Sequence, residues 1–211
     1  MEKESNSFGT NSVVISGEIV SECVHNHDVF GEGFYLIMLS TKRLSDKTDV
    51  IPIMVSERLF NCNENHTGEF IKVTGQFRSY NQQEGEKRRL ILSVFAREIE
   101  LLEEKPERDS NNIILEGYIC KPPIYRKTPL GREISDILLA VNRPYGKSDY
   151  IPNVCWGRNA AYSEGFEVGK RLRVYGRIQS RTYDKRNEEG EIEQKICYEV
   201  SISKFEECEG E

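Results

Sequence analysis

Asn11-Ser-Val-Val-Ile-Ser-Gly17-Glu-Ile19 recurs as Asn111-Asn-Ile-Ile-Leu-Glu-Gly117-Tyr-Ile119, and the repetition continues along the chain. Asp49-Val-Ile-Pro52 answers Asp149-Tyr-Ile-Pro152. After one inserted residue, Gly68 through Gly75-Gln-Phe-Arg-Ser79 answers Gly169 through Gly176-Arg-Ile-Gln-Ser180. A period of about a hundred residues is a whole domain, not a solenoid unit of 20–50. The 211 residues thus divide into two units, each long enough to bury its own core. Any chemical difference between the halves then bears on function.

Both halves read as β. Val13 to Ile15 and Ile113 to Leu115 lead into a glycine as short apolar strands, the glycine marking a bulge or tight bend. Phe34 to Leu39 and Ile134 to Ala140 follow, then Val50 to Val55 and Tyr150 to Trp156. Phe70 to Gly75 and Arg171 to Gly176 alternate apolar and polar residues as half-buried strands do. Leu90 to Phe95 and Ile196 to Ile202 close each half. Only Glu57 to Asn63 and Asn159 to Glu164 suit a short helix. Five strands with a helix between the third and fourth is the order of the OB-fold, a small Greek-key barrel. The fold class is therefore all-β, two tandem OB-folds over residues 1–102 and 111–207. Residues 103–110, charged and containing Pro106, form the linker. Asn81 to Arg88 and Asp184 to Glu193 are expected as hairpin loops.

Composition excludes several classes. No apolar run approaches the ~20 residues of a membrane span, and the start has no basic-then-apolar leader. A cytoplasmic location is expected, with no membrane partner. The six cysteines form no C-x-x-C pair, and His25, His27 and His66 complete no zinc spacing, so no metal or cofactor is expected. There is no phosphate loop, nucleophile elbow or catalytic triad motif, and no catalytic residue is assigned. The net charge of −6 conceals an asymmetry. Residues 1–110 hold 13 basic and 19 acidic side chains, residues 111–205 hold 16 and 12. The second half alone is basic, and net charge describes the surface field rather than the fold.

In that half aromatic rings interleave with cations. Tyr145, Tyr150, Trp156 and Tyr183 lie among Arg126, Lys127, Arg132, Arg143, Arg158, Arg177 and Arg181. Flat π faces for unstacked bases, with cations for the phosphates between them, are what a single-strand binder needs. Each residue has a plainer reading too: Trp156 as core at a strand end, Tyr150 as cover for a barrel mouth, the arginines as a solvated face. Residues 111–205 resemble the bacterial single-stranded DNA-binding protein family, in its tandem, clostridial-type form. The resemblance rests on Asn111 to Gly117, Pro123-Ile-Tyr-Arg126-Lys-Thr128 with Gly131, Leu139-Ala140, Val154-Cys-Trp156-Gly157-Arg-Asn-Ala160, and Val174-Tyr-Gly176-Arg-Ile-Gln-Ser-Arg181-Thr-Tyr183. It implies that those four aromatics stack bases while the cations contact phosphate.

The resemblance implies non-catalytic binding of single-stranded DNA, with little sequence specificity, in replication, repair and recombination. It also implies a homodimer of four OB-folds, nucleoid association and contact with replication or repair proteins. Opposite the four aromatics the first half places Ser45, Val50, Ser56 and Gln82, so it is expected to have lost the stacking platform. Many members end in a flexible spacer with an acidic, aromatic-tipped tail. This sequence closes at Phe205-Glu-Glu-Cys-Glu-Gly-Glu211, and recruitment through such a tail is not expected. The alternative is a replication-restart bridging module that binds DNA more weakly and one protein tightly. An OB-containing enzyme lacks support in the residues, since a fold does not assign a function.

Overall fold

The computed structural model of the chain describes residues 9–45, 47–84, 87–186 and 190–208, apart from the side chains of residues 82–84, 87, 88 and 145. In the first half, β1 (Asn11–Ile19), β2 (Val24–Val29), β3 (Glu32–Lys42), β4 (Thr48–Ser56), β5 (Phe70–Glu84) and β6 (Lys87–Leu102) follow in order. The second half repeats them as β7 (Asn111–Ile119), β8 (Ile124–Lys127), β9 (Glu133–Asn142), β10 (Ser148–Trp156), β11 (Arg171–Arg186) and β12 (Ile192–Glu207). β1 pairs with β5, β5 with β6, β6 in parallel with β4, β4 with β3, and β3 again with β1. The second half closes the same ring through β7, β11, β12, β10 and β9. These are two OB-fold barrels. β2 and β8 are extra arms, each paired only with the strand that follows.

Alternation explains each wall. Ile51, Ile53 and Val55 point inward from β4, as Ile137, Leu139 and Val141 do from β9, and all are buried. Gly17 is where β1 leaves β5 to meet β3. A Cβ there would lie 2.1 Å from the Ser40 carbonyl oxygen, so only glycine lets the barrel close. Gly75 and Gly176 are bulges within β5 and β11 rather than strand ends. Past each bulge an asparagine side chain adds a rung to the ladder. Asn11 Nδ2 donates to the Phe77 carbonyl at 2.7 Å, and the Phe77 amide donates to Asn11 Oδ1 at 2.9 Å. Asn111 does the same for Ile178, at 2.8 and 2.9 Å.

Two expectations need correction. The helix expected in each half forms only in the second, as α1 (Arg158–Ser163); Glu57 to Asn63 is a series of turns. Asparagine accounts for this, because its side chain competes for nearby amides. The Asn63 amide donates to Asn61 Oδ1 at 3.3 Å and the Thr67 amide to Asn65 Oδ1 at 3.0 Å, where α1 instead has Ala160 and Ala161. The hairpin loops also prove largely to be strand. β5 runs to Glu84 and β11 to Arg186, extending beyond the barrels as two-stranded ribbons with β6 and β12.

The barrels join edge to edge. β1 pairs antiparallel with β7, and Val13 faces Ile113, its own counterpart in the repeat. The chain is therefore an internal pseudo-dimer whose twofold passes through that pair. Beside it, Glu116 is nearly buried between Arg171 and Arg173, with Arg173 Nε donating to Oε2 at 2.8 Å. Burial alone would raise its pKa, but the Arg173 and Arg171 guanidiniums outweigh this and hold it below the usual carboxylate range. A depressed carboxylate contributes stability above its unfolded pKa of about 4.3, lost as pH falls through the folded value. Glu116→Gln is expected to cost about 1.5–3 kcal/mol at neutral pH, with the gap to wild type closing below about pH 4. Urea midpoints across pH check it.

Candidate nucleic-acid interface

Tyr150 and Trp156 are six residues apart on β10, so strand alternation sends both to the outer face. Trp156 is 43% exposed, which rules out its core reading, and Tyr150 is 46% exposed. About 20 Å of strand separates them. Trp156 ends β10 opposite Ile134, and Gly157, at φ +58°, turns the chain straight into α1. No side chain but glycine adopts that turn without strain. Trp156 borders a groove of about 270 Å³, lined also by Gly131, Arg132, Glu133 and Gly157.

Tyr183 stands on the β11 ribbon, 38% exposed, with the Arg181 guanidinium 6.0 Å from its ring centre. Extending the parallel register of β10 and β12 sets Tyr150 in line with Cys197, whose partner across the ribbon is Arg181. Tyr150, Arg181 and Tyr183 thus share one end of the outer face, and Trp156 holds the other. Arg132 and Arg158 are exposed beside Trp156. Arg126 pairs with Asp136, and Lys127 lies 3.6 Å from Glu133, both on the flanking arm and half exposed. The side chain of Tyr145 lies outside the described residues, as does that of Gln82.

Arg143 and Arg177 are placed otherwise than the sequence suggests. Both sit in the seam between barrels, with their charge already engaged. Arg143 Nε donates to Asp149 Oδ2 at 2.5 Å, and its terminal nitrogen donates to the Ser79 carbonyl at 2.8 Å. The Ser79 amide donates to Asp149 Oδ1 at 2.5 Å, and the Tyr150 amide to Ser79 Oγ at 2.8 Å. The mirror image repeats it. Arg43 Nε donates to Asp49 Oδ2 at 2.6 Å, and the Ser180 amide to Asp49 Oδ1 at 2.8 Å. Arg177 lies 3.3 Å from Asp49 and donates to Gln179 Oε1 at 3.1 Å. Burial, then the charge of Arg43, lowers the Arg177 pKa.

At the position of Trp156 the first barrel has Ser56, hydrogen-bonded to Glu32. Over that serine two rings from the neighbouring strands meet: Phe34 of β3 and Phe95 of β6, centroids 5.7 Å apart. His27 stacks on Phe34 at 5.1 Å and Arg78 lies 4.1 Å over Phe95. Burial pushes the Cys155 thiol up and the Cys62 thiol up to about 12, so neither is a thiolate nucleophile at neutral pH. Among the described residues no group of three or more His, Cys, Asp or Glu is placed to hold a metal ion. No described helix is long and apolar enough to cross a membrane.

Residues 110–206 match the model of the single-strand binding protein family. Single-stranded DNA-binding protein 3 of Clostridium acetobutylicum is 37% identical over 81 residues, covering 35% of this chain and 56% of that protein. Single-stranded DNA-binding protein 1 of Staphylococcus aureus strain COL is 33% identical over 102 residues, 44% of this chain and 60% of that one. The chain thus spans little more than half the length of the curated relatives it matches. The structure of the wild-type single-stranded DNA binding protein from Thermus aquaticus superposes with a TM-score of 0.73 over 95% of this chain and 94% of that one. At 20% identity, that likeness shows the shared fold. The second barrel is thus similar to the single-strand binding protein family.

Proposed function

We propose that the chain binds single-stranded DNA without catalysis, through the outer face of its second barrel. The observation that carries this reading is the exposure of Tyr150, Trp156 and Tyr183 on one face, with Arg181 over the last. A buried set would have meant a core. Bases stack on these rings, at about 1–3 kcal/mol each whatever the sequence. Arg132, Arg158 and Arg181 meet the intervening phosphates, with Arg126 and Lys127 on the flanking arm, and Tyr145 is a further stacking residue of the proposed set. Arg143 and Arg177 act from the seam, where they hold the two barrels in register. Two chains assemble as a homodimer, presenting four barrels to DNA in replication and repair.

The chain has one tryptophan, so its emission reports Trp156 alone. Titration with oligo-dT is expected to quench it, with log Kobs falling against log salt by about 0.7 per phosphate neutralised. Binding without quenching would move the site away from Trp156. Absence of both would favour the bridging-module alternative.

A further inference from the structure

In the second barrel the ring stands on the middle strand, as Trp156 of β10 opposite Ile134 of β9, and the small Ser201 of β12 lies opposite Val154, two residues earlier on β10. The first barrel inverts the pattern. Its middle strand carries the small Ser56, and the large rings stand on either side, as Phe34 opposite Ser56 on β3 and Phe95 opposite Met54 on β6. Removing the central ring is what lets the flanking two come within 5.7 Å. His27, exposed on β2, adds a parallel face at an interplanar angle of 10°. The aromatic surface is displaced by one strand and not lost.

A cation completes it. The Arg78 guanidinium lies over Phe95 and donates to Gln76 Oε1 at 2.8 Å, while its Nε is buried with no hydrogen-bond partner. Among the described residues no carboxylate pairs with it. Asp149 is taken by Arg143 and the Ser79 amide, and Glu32 by Ser56 and Arg58. Burial lowers the Arg78 pKa, as do Arg143 and Arg97, with Asp149 opposing. A half-buried guanidinium without a counter-ion suits a phosphate oxygen. Its neighbour Ser79 is bonded to the amide of Tyr150, so Arg78 stands one residue along β5 from the seam with the second barrel.

We infer that the first barrel carries a second stacking surface, built from His27, Phe34 and Phe95 with Arg78, which takes a base and its adjoining phosphate from the same single strand. The inference rests on the proposed DNA binding of the second barrel. A strand lying on Tyr150 crosses the seam at Ser79 and reaches Arg78 first, then the rings.

The test compares oligo-dT of about 8 nucleotides, within one barrel's reach, with one of about 30. The variants are Phe34→Leu with Phe95→Leu, which keeps apolar volume but removes the π faces, and Arg78→Gln. Both are expected to leave Trp156 quenching by the short oligonucleotide unchanged. Affinity for the long one, read by anisotropy of a labelled strand, is expected to fall at least about fivefold. Arg78→Gln should also reduce its salt slope by about 0.7. Wild-type long-strand affinity and salt slope in both variants, with short-strand quenching intact, would overturn this inference and leave the second-barrel site standing. Neither binding nor quenching of the wild type with either oligonucleotide would instead overturn the proposed function, and this inference with it. Should the leucine variant fail to fold, Arg78→Gln alone decides between the outcomes.

Discussion

Trp156→Ala combined with Tyr183→Ala is expected to weaken binding of oligo-dT by about 30-fold to 20,000-fold. Each ring supplies about 1–3 kcal/mol per stacked base, and every 1.4 kcal/mol is tenfold in Kd. Tyr183 is a tyrosine beside Arg181, so its removal takes away the surface over which that guanidinium is held as well. The fold should hardly notice. Both side chains stand well out in solvent, and exposed substitutions usually stay within about 0.5 kcal/mol of neutral. Since the variant has no tryptophan, affinity is read by anisotropy of a labelled strand. Tyr80→Ala serves as the comparison, because Tyr80 is equally exposed but stands on β5 of the first barrel. A similar loss from Tyr80→Ala would mean that any exposed ring matters, and the assigned face would be wrong.

The barrels were legible because their walls alternate. Ile51, Ile53 and Val55, like Val13 and Ile15, mark their inward faces by period two, and the repeat supplied the domain count. The ribbons were not. Beyond the bulges at Gly75 and Gly176 the paired strands leave the barrel, so there is no core for their residues to alternate against, and polar sequence reads as loop. The exposed aromatics of the second barrel were legible from residue type and interleaved charge. Alignment of the halves position by position correctly found Ser56 opposite Trp156, but it could not see Phe34 and Phe95 closing over that serine from two other strands. That exchange is visible only once strand order is known. Arg143 and Arg177 misled for a related reason: their carboxylates are Asp149 and Asp49, which read as strand punctuation until the two halves are brought together.

Asp149→Ala is accordingly expected to be among the most damaging single changes outside the apolar core. The carboxylate is 1% exposed and joins Arg143 of its own barrel to the Ser79 amide of the other. Its removal leaves the part-buried Arg143 without its carboxylate, and one buried amide without an acceptor. Breaking a buried pair by removing one partner typically costs about 3–5 kcal/mol. For a chain of this size, about 2–4 °C is lost per kcal/mol, so the midpoint of thermal unfolding should fall by roughly 6–20 °C. Asp49→Ala should do nearly the same through Arg43, Arg177 and Ser180. Because the two networks flank one seam, the double variant is expected to lose less than the sum, the first loss having already loosened what the second would break. Adding Arg143→Ala to Asp149→Ala should recover part of the deficit, since the unpaired charge goes with it. A midpoint for Asp149→Ala within a degree or two of wild type would show that the β1–β7 ladder alone holds the barrels together.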